Sequence, residues 1–519
     1  MLVWASFGAG IFPNRRPFGA VPERGAQRML HKMDDPPRML TLNGLPKRNC
    51  GGISRRELLQ IGGAGLFGLS LPKLFAAQSS SPAGLSGLGG GRAKSVIFLH
   101  LFGGPSQLET FDLKPDAPRE IRGPFRPIAS QTPDLLMCEH LERLASISKK
   151  FCVVRTMSHP YNDHSGAGHY IQTGKRWHVP VGGGFSATPQ DWPSMGSVVE
   201  HLSQQSPGGM ERDMPSYAVL PNRLGRLQAQ GQYIRPGEYA GWLGSGYNPV
   251  TTRIDKRDKE DNPYWRECTD AELNFQLEGL EPLVPVSRIR QRFSLLDQFE
   301  SMRTRLDAGD ADALDRHRRR ALALIASDRM GAALDLQREP DRMRDRYGRH
   351  LFGQSCLMAR RFVEAGTRFV TVHYDCPDGY SWDSHRNSDD VKKHLLPTFD
   401  QACSALLMDL EERGLLHETL VIAVGEMGRT PVATANWGRG HWSTCFPALI
   451  AGAGIRGGIV YGKTDAKAEY PQEKTMTPED LAKTIYMALG VDPEMFLTDR
   501  QGRPVPLVES GKAVQELFG

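Results

Sequence analysis

From residue 93 onward, apolar positions fall into short unbroken runs separated by longer amphipathic stretches. The run S-V-I-F-L-H-L-F at 95–102 ends in Gly103-Gly104-Pro105. Such a run, closed by turn residues, fits a strand buried on both faces of a parallel sheet. A helix-like segment at 139–150 leads into F-C-V-V-R-T at 151–156, and Y-A-V-L at 217–220 is a further candidate strand. Later come R-F-V-T-V-H-Y (368–374), T-L-V-I-A-V-G (419–425) and F-P-A-L-I-A-G (446–452), with helix-like 395–413 between the first two. Between 287 and 366 the pattern changes to apolar residues at three-and-four spacing among many Arg, Asp and Glu. That reads as helices whose charges mostly form a solvated face. Strands alternating with helices predict an α/β fold: a mainly parallel sheet, helices on both faces, and a helical insertion at about 261–366. Ligands of such sheets gather beyond the carboxyl ends of the strands.

The first 92 residues lack this patterning. Residues 54–60, S-R-R-E-L-L-Q, match the twin-arginine export pattern, and an apolar, glycine-rich run of 11 residues (61–71) follows at once. A membrane-spanning helix needs roughly 20 residues, so the run has the length of a signal-peptide core. Pro72 breaks it, and Ala76 and Ala77 offer small residues for cleavage. Residues 54–78 thus read as a signal peptide and 79–92, rich in Ser and Gly, as a flexible linker. Residues 1–53 read as a disordered leader, with Met33 and Met39 as alternative starts, because Arg, Pro and Gly without periodicity cannot offset the entropy of ordering. The expected partner during export is the twin-arginine translocase, and the expected destination is the periplasm or the exterior. Residues 93–519 remain as the folded domain.

Charge alters the picture little. The net +5 belongs to the leader: residues 1–56 hold ten Lys/Arg against three acids, a surplus of +7 that leaves about −2 for the rest. No nucleic-acid footprint is expected from that balance. Eight scattered cysteines form no C-x-x-C pair, which argues against a zinc ribbon or a thioredoxin-like motif. Seven lie beyond the signal, so at least one must be unpaired within the chain. No later apolar run approaches membrane-spanning length, and no span is expected in the mature protein.

Candidate chemistry sits in four loops, each just after a candidate strand. The first holds Ser106, Gln107, Glu109 and Asp112; the second His159, Asp163, His164 and His169. The third holds His373, Asp375, Asp383 and His385; the fourth Glu426, Arg429 and His441. Imidazole with carboxylate is a ligand set for zinc, manganese or iron. Two such ions would clamp an ester's oxygens and generate a nucleophile near neutral pH.

The stretches F-L-H-L-F-G-G-P-S-Q-L-E-T-F-D, S-W-D-S-H, V-G-E-M-G-R-T-P, G-R-G-H-W and T-P-E-D-L-A-K-T-I-Y-M-A-L-G resemble the hallmarks of domain-of-unknown-function family 1501, over nearly the whole mature chain. The resemblance implies an alkaline phosphatase-like or sulfatase-like α/β fold with a two-metal site. It implies metal ligation by Asp383, His385, Glu426 and His441, with Glu109 or Asp112 as the first-strand ligand. Counting back nine from Thr173-Gly174 places His164, with Ser165 beside it, where that superfamily carries its nucleophile. His164 would be a ligand, a nucleophile or a general acid/base, and Ser165 is the nucleophile after a one-residue shift. Alternatively metal-bound hydroxide attacks directly, or the chemistry has been lost. Arg429 either binds an anion or partners Glu426. The expected function is therefore an exported hydrolase of a phosphate or sulfate ester, small or polysaccharide, using zinc or manganese at one or two sites. The alternative is a non-catalytic binding protein that keeps the fold.

Overall fold

The computed structural model describes residues 92–177, 186–206, 212–221, 235–254, 261–277, 320, 323–375 and 381–519. The leader, the signal, the linker up to residue 91 and residues 278–319, which take in the first part of the charged stretch, lie outside the described residues. Everything below belongs to one compact unit, Ala76–Gly519.

Nine strands form the central sheet: β1 (Ser95–His100), β2 (Phe151–Met157), β3 (Tyr217–Leu220), β4 (Val250–Arg253), β5 (Gln276–Leu277), β6 (Phe369–His373), β7 (Thr419–Val424), β8 (Phe446–Ala451) and β9 (Ile459–Tyr461). Their spatial order is β9-β2-β8-β7-β1-β6-β3-β4-β5. Every pairing is parallel except those of β8 with β2 and β7 and of β5 with β4. The sheet is thus mainly parallel, and β1 lies between β6 and β7.

Alternate residues of β1 serve opposite faces. Val96 and Phe98 join one apolar cluster with Ile171, Val198 and Ile485, from α1 (His164–Thr173), α2 (Met195–Gln205) and α5 (Pro478–Ala488). Ile97 and Leu99 join another with Phe352 and Leu406, from α3 (Leu351–Glu364) and α4 (Leu396–Glu412). Helices therefore cover both faces, which is why β1, β7 and β8 are buried at every residue rather than at every second one. Each large side chain so buried contributes about 1.5–3 kcal/mol. The T-P-E-D motif is a helix start: Thr477 and Asp480 form a reciprocal capping box ahead of α5, with Pro478 in its first turn.

The described helices of 261–366 include Asp328–Leu334, Asp341–Tyr347 and α3, and not all of the stretch is helical. Residues 261–277 are turns that end in the edge strand β5, and α3 packs in the same apolar cluster as β1 and β6. Nor do all its charges face water: Arg360, 1 % exposed, pairs with Asp409 at 2.8 Å and Glu339 at 2.8 Å. Among the described residues, Cys138, Cys152, Cys356, Cys403 and Cys445 are buried free thiols, Cys268 is buried as well, and no helix is long and apolar enough to cross a membrane.

Candidate functional site

The parallel strands deliver their carboxyl ends to one side of the sheet, where glycines let the following loops close on one another. Gly103 has φ +111°, and a Cβ there would lie 2.4 Å from the Asp383 nitrogen. Gly104 has φ +75°, and its Cβ would lie 2.6 Å from the Met427 carbonyl. Only glycine permits both the backbone conformation and the approach. The ends of β1 and β7 and the Asp383 loop thereby meet.

Glu426, fully buried after β7, receives the Gly103 amide on both carboxylate oxygens, at 2.9 and 3.1 Å. Opposite stands α1, whose N-cap Asp163 accepts from the Gly166 amide at 2.7 Å. That cap puts His164 at the first helical position, with its Nδ1 2.6 Å from Glu426 Oε1. Asp383 Oδ1 is the focus of the site. His385 Nε2 lies 3.0 Å from it, His441 Nε2 3.2 Å and His164 Nε2 3.3 Å. The Nε2 atoms of His385 and His441 are 2.9 Å apart.

The imidazole tautomers follow from their partners. His441 Nδ1 sits 2.8 Å from the Asn162 carbonyl, which can only accept, so Nδ1 carries a proton. His164 Nδ1 likewise donates to the Glu426 carboxylate. Both Nε2 atoms then face Asp383 either as bare lone pairs or as a second N–H. Lone pairs aimed at a carboxylate oxygen require a cation between them. Ligand atoms of His164, Asp383 and His441 lie within 4.8 Å of one another. Bonds of about 2.0–2.2 Å in a tetrahedron give edges of roughly 3.4 Å. The separations of 2.9–3.3 Å in this cluster come close to that edge. The donor set of His164, Asp383 and His441 fits a divalent ion, and His385 Nε2 lies beside it, 3.0 Å from Asp383 Oδ1.

Burial opposes charge on His164, but its hydrogen bonds to Asp383 and Glu426 outweigh it and push the imidazole up to about 9. Burial likewise opposes ionisation of Asp383, yet bonds from His164, His385 and His441 and the charge of Arg429 hold its carboxyl far below the usual range. Glu426 is lowered against its burial by His164.

Other sequence candidates fall elsewhere. Glu109 and Asp112 do not reach the cluster, which corrects the expected first-strand ligand. Glu109 pairs with the buried guanidinium of Arg439 at 2.8 Å, and Asp112 with Lys114 at 2.9 Å, Arg155 at 3.3 Å and the hydroxyl of Thr464 at 2.5 Å. Glu109 is thus the counter-ion of a cation brought from a distant segment, and Asp112 that of its neighbour Lys114 and of Arg155 on β2. Arg429 is fully buried and spends its donors on Gly103, Gly104 and Arg439 carbonyls and on Asp383 Oδ1 at 2.5 Å. It partners Asp383 rather than Glu426, and four of its five N–H donors are spent on these groups. Gln107 braces the Arg429 backbone at 2.8 and 3.0 Å. His159 and His169 bond to the carbonyls of Glu426 and Lys175. Ser165, half-buried in the first turn of α1, makes no side-chain hydrogen bond among the described residues.

A second group near Glu426 joins the candidates His373 and Asp375 to His100, Arg235 and Glu238, which sequence reasoning passed over. His100, last in β1, is wholly buried, and its Nε2 lies 3.7 Å from Glu426 Oε2. Neither of its ring nitrogens has a hydrogen-bond partner among the described residues. Its ring is 5.4 Å from that of His373, whose Nε2 is 3.4 Å from Glu238. Arg235 forms a two-pronged pair with Asp375 at 2.7 and 3.0 Å and lies over the Phe102 ring at 3.6 Å. Burial lowers His100 to about 4 and His373 well below its ordinary value, so both are neutral at pH 7. A histidine closing an apolar strand run was the signal available for His100.

The fold and the site define an α/β protein with a histidine–carboxylate cluster at the carboxyl ends of its sheet. The chain belongs to the family described as protein of unknown function (DUF1501), whose pattern it matches over residues 93–518. No curated protein matches it. Among solved structures, it is similar to the PsFucS1 sulfatase from Pseudoalteromonas sp. at 13% identity and TM-score 0.32, covering 84% of this chain and 72% of that one. It is similar to the phosphonate monoester hydrolase SpPMH from Silicibacter pomeroyi at 11% identity and TM-score 0.36, covering 82% and 76%. TAB5 alkaline phosphatase, a mutant with Mg bound in its M3 site, gives 11% identity and TM-score 0.34, covering 77% and 99%. Likenesses of this size assign no chemistry to the chain.

Proposed function

We propose that this chain is an exported, metal-dependent hydrolase of a phosphate or sulfate ester, with polysaccharide esters among its substrates. The observation that supports the reading is the convergence of three imidazole Nε2 atoms on Asp383 Oδ1, two of them with Nδ1 anchored as a donor. Zinc or manganese would be held by His164, Asp383, His385 and His441, with Glu426 orienting His164 through its Nδ1–H. Such an ion, when bound, polarises an ester oxygen and lowers the pKa of water. The chain's own groups do the rest. The start of α1, ten residues long, turns its amide donors and positive dipole end toward the side where His164 and Ser165 lie, which favours an anionic ester there. Ser165 Oγ and metal-activated water are the two candidate attacking groups. Arg429, locked between Gly103, Gly104 and Asp383, positions the carboxylate without touching substrate. Export rests on the S-R-R-E-L-L-Q signal at 54–60.

A second reading, a metal-free binding protein, draws on one observation: the Arg429 guanidinium already neutralises the Asp383 oxygen at which a metal would sit. Elemental mass spectrometry separates the two. Protein purified without chelator should carry stoichiometric zinc or manganese that is lost in an Asp383→Ala/His441→Ala double variant. It should also hydrolyse aryl phosphate or sulfate esters. Metal absent from both samples even after reconstitution would move the assignment to the binding protein.

A further inference from the structure

We propose that a basic, aromatic-walled cavity beside the cluster is a subsite for an anionic saccharide unit; the inference deepens the hydrolase reading and rests on it for the identity of the substrate. The cavity measures about 350 Å³ and is lined by Arg119, Arg122 and Trp437 among others. That volume lies at the small end of ligand pockets and suits a single sugar ring with its charged substituent.

Three independent features point to an anionic ligand with a flat apolar face. Two cations of the lining are already neutralised: Lys114 by Asp112 at 2.9 Å and Arg126 by Glu139 at 2.9 Å. Arg119 and Arg122, both exposed, have no ion-pair partner among the described residues. The Arg119 guanidinium lies 5.3 Å from the centre of the Trp437 ring. A guanidinium fork matches the paired oxygens of a sulfate or carboxylate, and an indole face receives the C–H face of a sugar. Finally, Trp437 has φ +68°, a left-handed conformation that disfavours a bulky residue. A tight turn imposes it: the Trp437 amide donates to the Thr434 carbonyl at 3.0 Å, and the Gly438 amide to Thr434 Oγ1 at 3.0 Å. The chain holds an aromatic ring in a costly geometry at the cavity wall.

The cavity is built onto the metal-ligand loops. Trp437 pairs with Asn387, two residues from His385, and lies four residues before His441. Gly438 packs so closely on the His385 carbonyl that a Cβ would lie 1.9 Å from it. The segment carrying Arg119 and Arg122 is tied to the same loop by Arg439, which donates to the Ile121 carbonyl at 2.9 Å, and by the Ala433 amide, which donates to the Glu120 carbonyl at 2.8 Å. The cavity wall and the loops that carry His385 and His441 are thereby held to one another.

The test is calorimetric titration of the wild-type protein with three probes of equal length: a κ-carrageenan oligosaccharide (sulfated), an oligogalacturonate (carboxylated) and a neutral agaro-oligosaccharide. At least one anionic probe should bind at least tenfold more tightly than the neutral one, and which one does so assigns the substituent. Affinity should fall at least tenfold in Arg119→Gln/Arg122→Gln and in Trp437→Ala, and should weaken with added salt. The surface arginine pair guards against misfolding as the cause. Equal affinity of both variants and wild type, no preference for charge, or no binding of any probe overturns the subsite. Because binding is read without turnover, the two proposals fail separately. Hydrolysis of small aryl esters without oligosaccharide binding removes only the subsite, while binding without metal or hydrolysis removes only the hydrolase.

Discussion

Arg439 and Glu109 form an ion pair in which neither side chain is more than 1 % exposed, and removing one partner is the sharpest perturbation the fold offers. Arg439 Nε donates to Glu109 Oε1 at 2.8 Å, and its remaining donors reach the carbonyls of Thr430 at 3.0 Å, Pro431, and Ile121 at 2.9 Å. Arg439→Met leaves the Glu109 charge buried without a partner, at about 3–5 kcal/mol, with a further loss of about 1–3 kcal/mol for each carbonyl that water cannot reach. That is comparable with the whole stability of a domain, about 5–15 kcal/mol, so Arg439→Met should fold poorly or unfold at much lower urea. Glu109→Gln keeps an acceptor for Nε and leaves Arg439 its three carbonyls. It should cost less, about 1.5–3 kcal/mol, the worth of a hydrogen bond to a charged group. Combining the two should cost less than their sum, with a coupling of about 1–3 kcal/mol. Urea denaturation of the four proteins measures the cycle, and elemental analysis of the same samples tests the assignment of Glu109. Glu109→Gln should retain wild-type metal content. If it loses metal at an unchanged unfolding midpoint, Glu109 is a ligand and the argument from its burial against Arg439 is wrong.

Two more outcomes follow from the same geometry. His350 caps α3 by accepting from the Gly353 amide on Nδ1 at 3.1 Å, and burial lowers it from 6.5 to about 4. The unfolded chain therefore takes up the proton first, and stability should fall as pH drops from about 6.5 to 4, by up to about 3 kcal/mol at 1.36 kcal/mol per unit. His350→Asn retains a capping acceptor and should lose that increment of acid sensitivity in urea titrations at pH 7 and pH 4.5; parallel pH dependence in the two proteins would refute it. Gly438→Ala drives a Cβ into the His385 carbonyl, a backbone atom with little room to move. Zinc affinity measured by chelator competition should weaken about 10–100-fold, as for other residues that orient ligands, and an unchanged affinity would show that His385 is not held by this contact.

How much of this was legible beforehand depends on whether the determinant was local. The strand runs at 95–102, 419–425 and 446–452 were readable because both faces of the sheet are covered, which makes each run apolar without alternation. The antiparallel direction of β8 was not, since periodicity carries no sense of direction. Asp383, His385, Glu426 and His441 stood out as polar residues in Gly-rich loops after strands, and the sheet brings those loops together. His100 did not, because it sits inside an apolar run and acquires meaning only through register. In the sheet, β1 lies between β6 and β7, and His100 aligns with His373 on one side and Val424 on the other, two residues before Glu426.

The misplacement of Glu109, Asp112 and Arg429 has the opposite cause. All three are charged, close to a strand end and buried, which are the attributes expected of ligands or anion binders. A buried charge must be compensated, but it can be compensated by any group of opposite sign, and the nearest one need not be a metal or a substrate. Arg439 reaches Glu109 across 330 positions, Arg155 of β2 reaches Asp112 at 3.3 Å, and Arg429 reaches Asp383 across 46 positions. No local pattern records those pairings. What separates the two outcomes is the count of opposite charges at each carboxylate. Glu109 meets one guanidinium and is balanced by it. Asp383 meets Arg429 and three imidazoles, two of which have already committed Nδ1–H elsewhere. That crowding of imidazole nitrogens around one oxygen is what a divalent ion would resolve, and it becomes visible only when the loops are placed together.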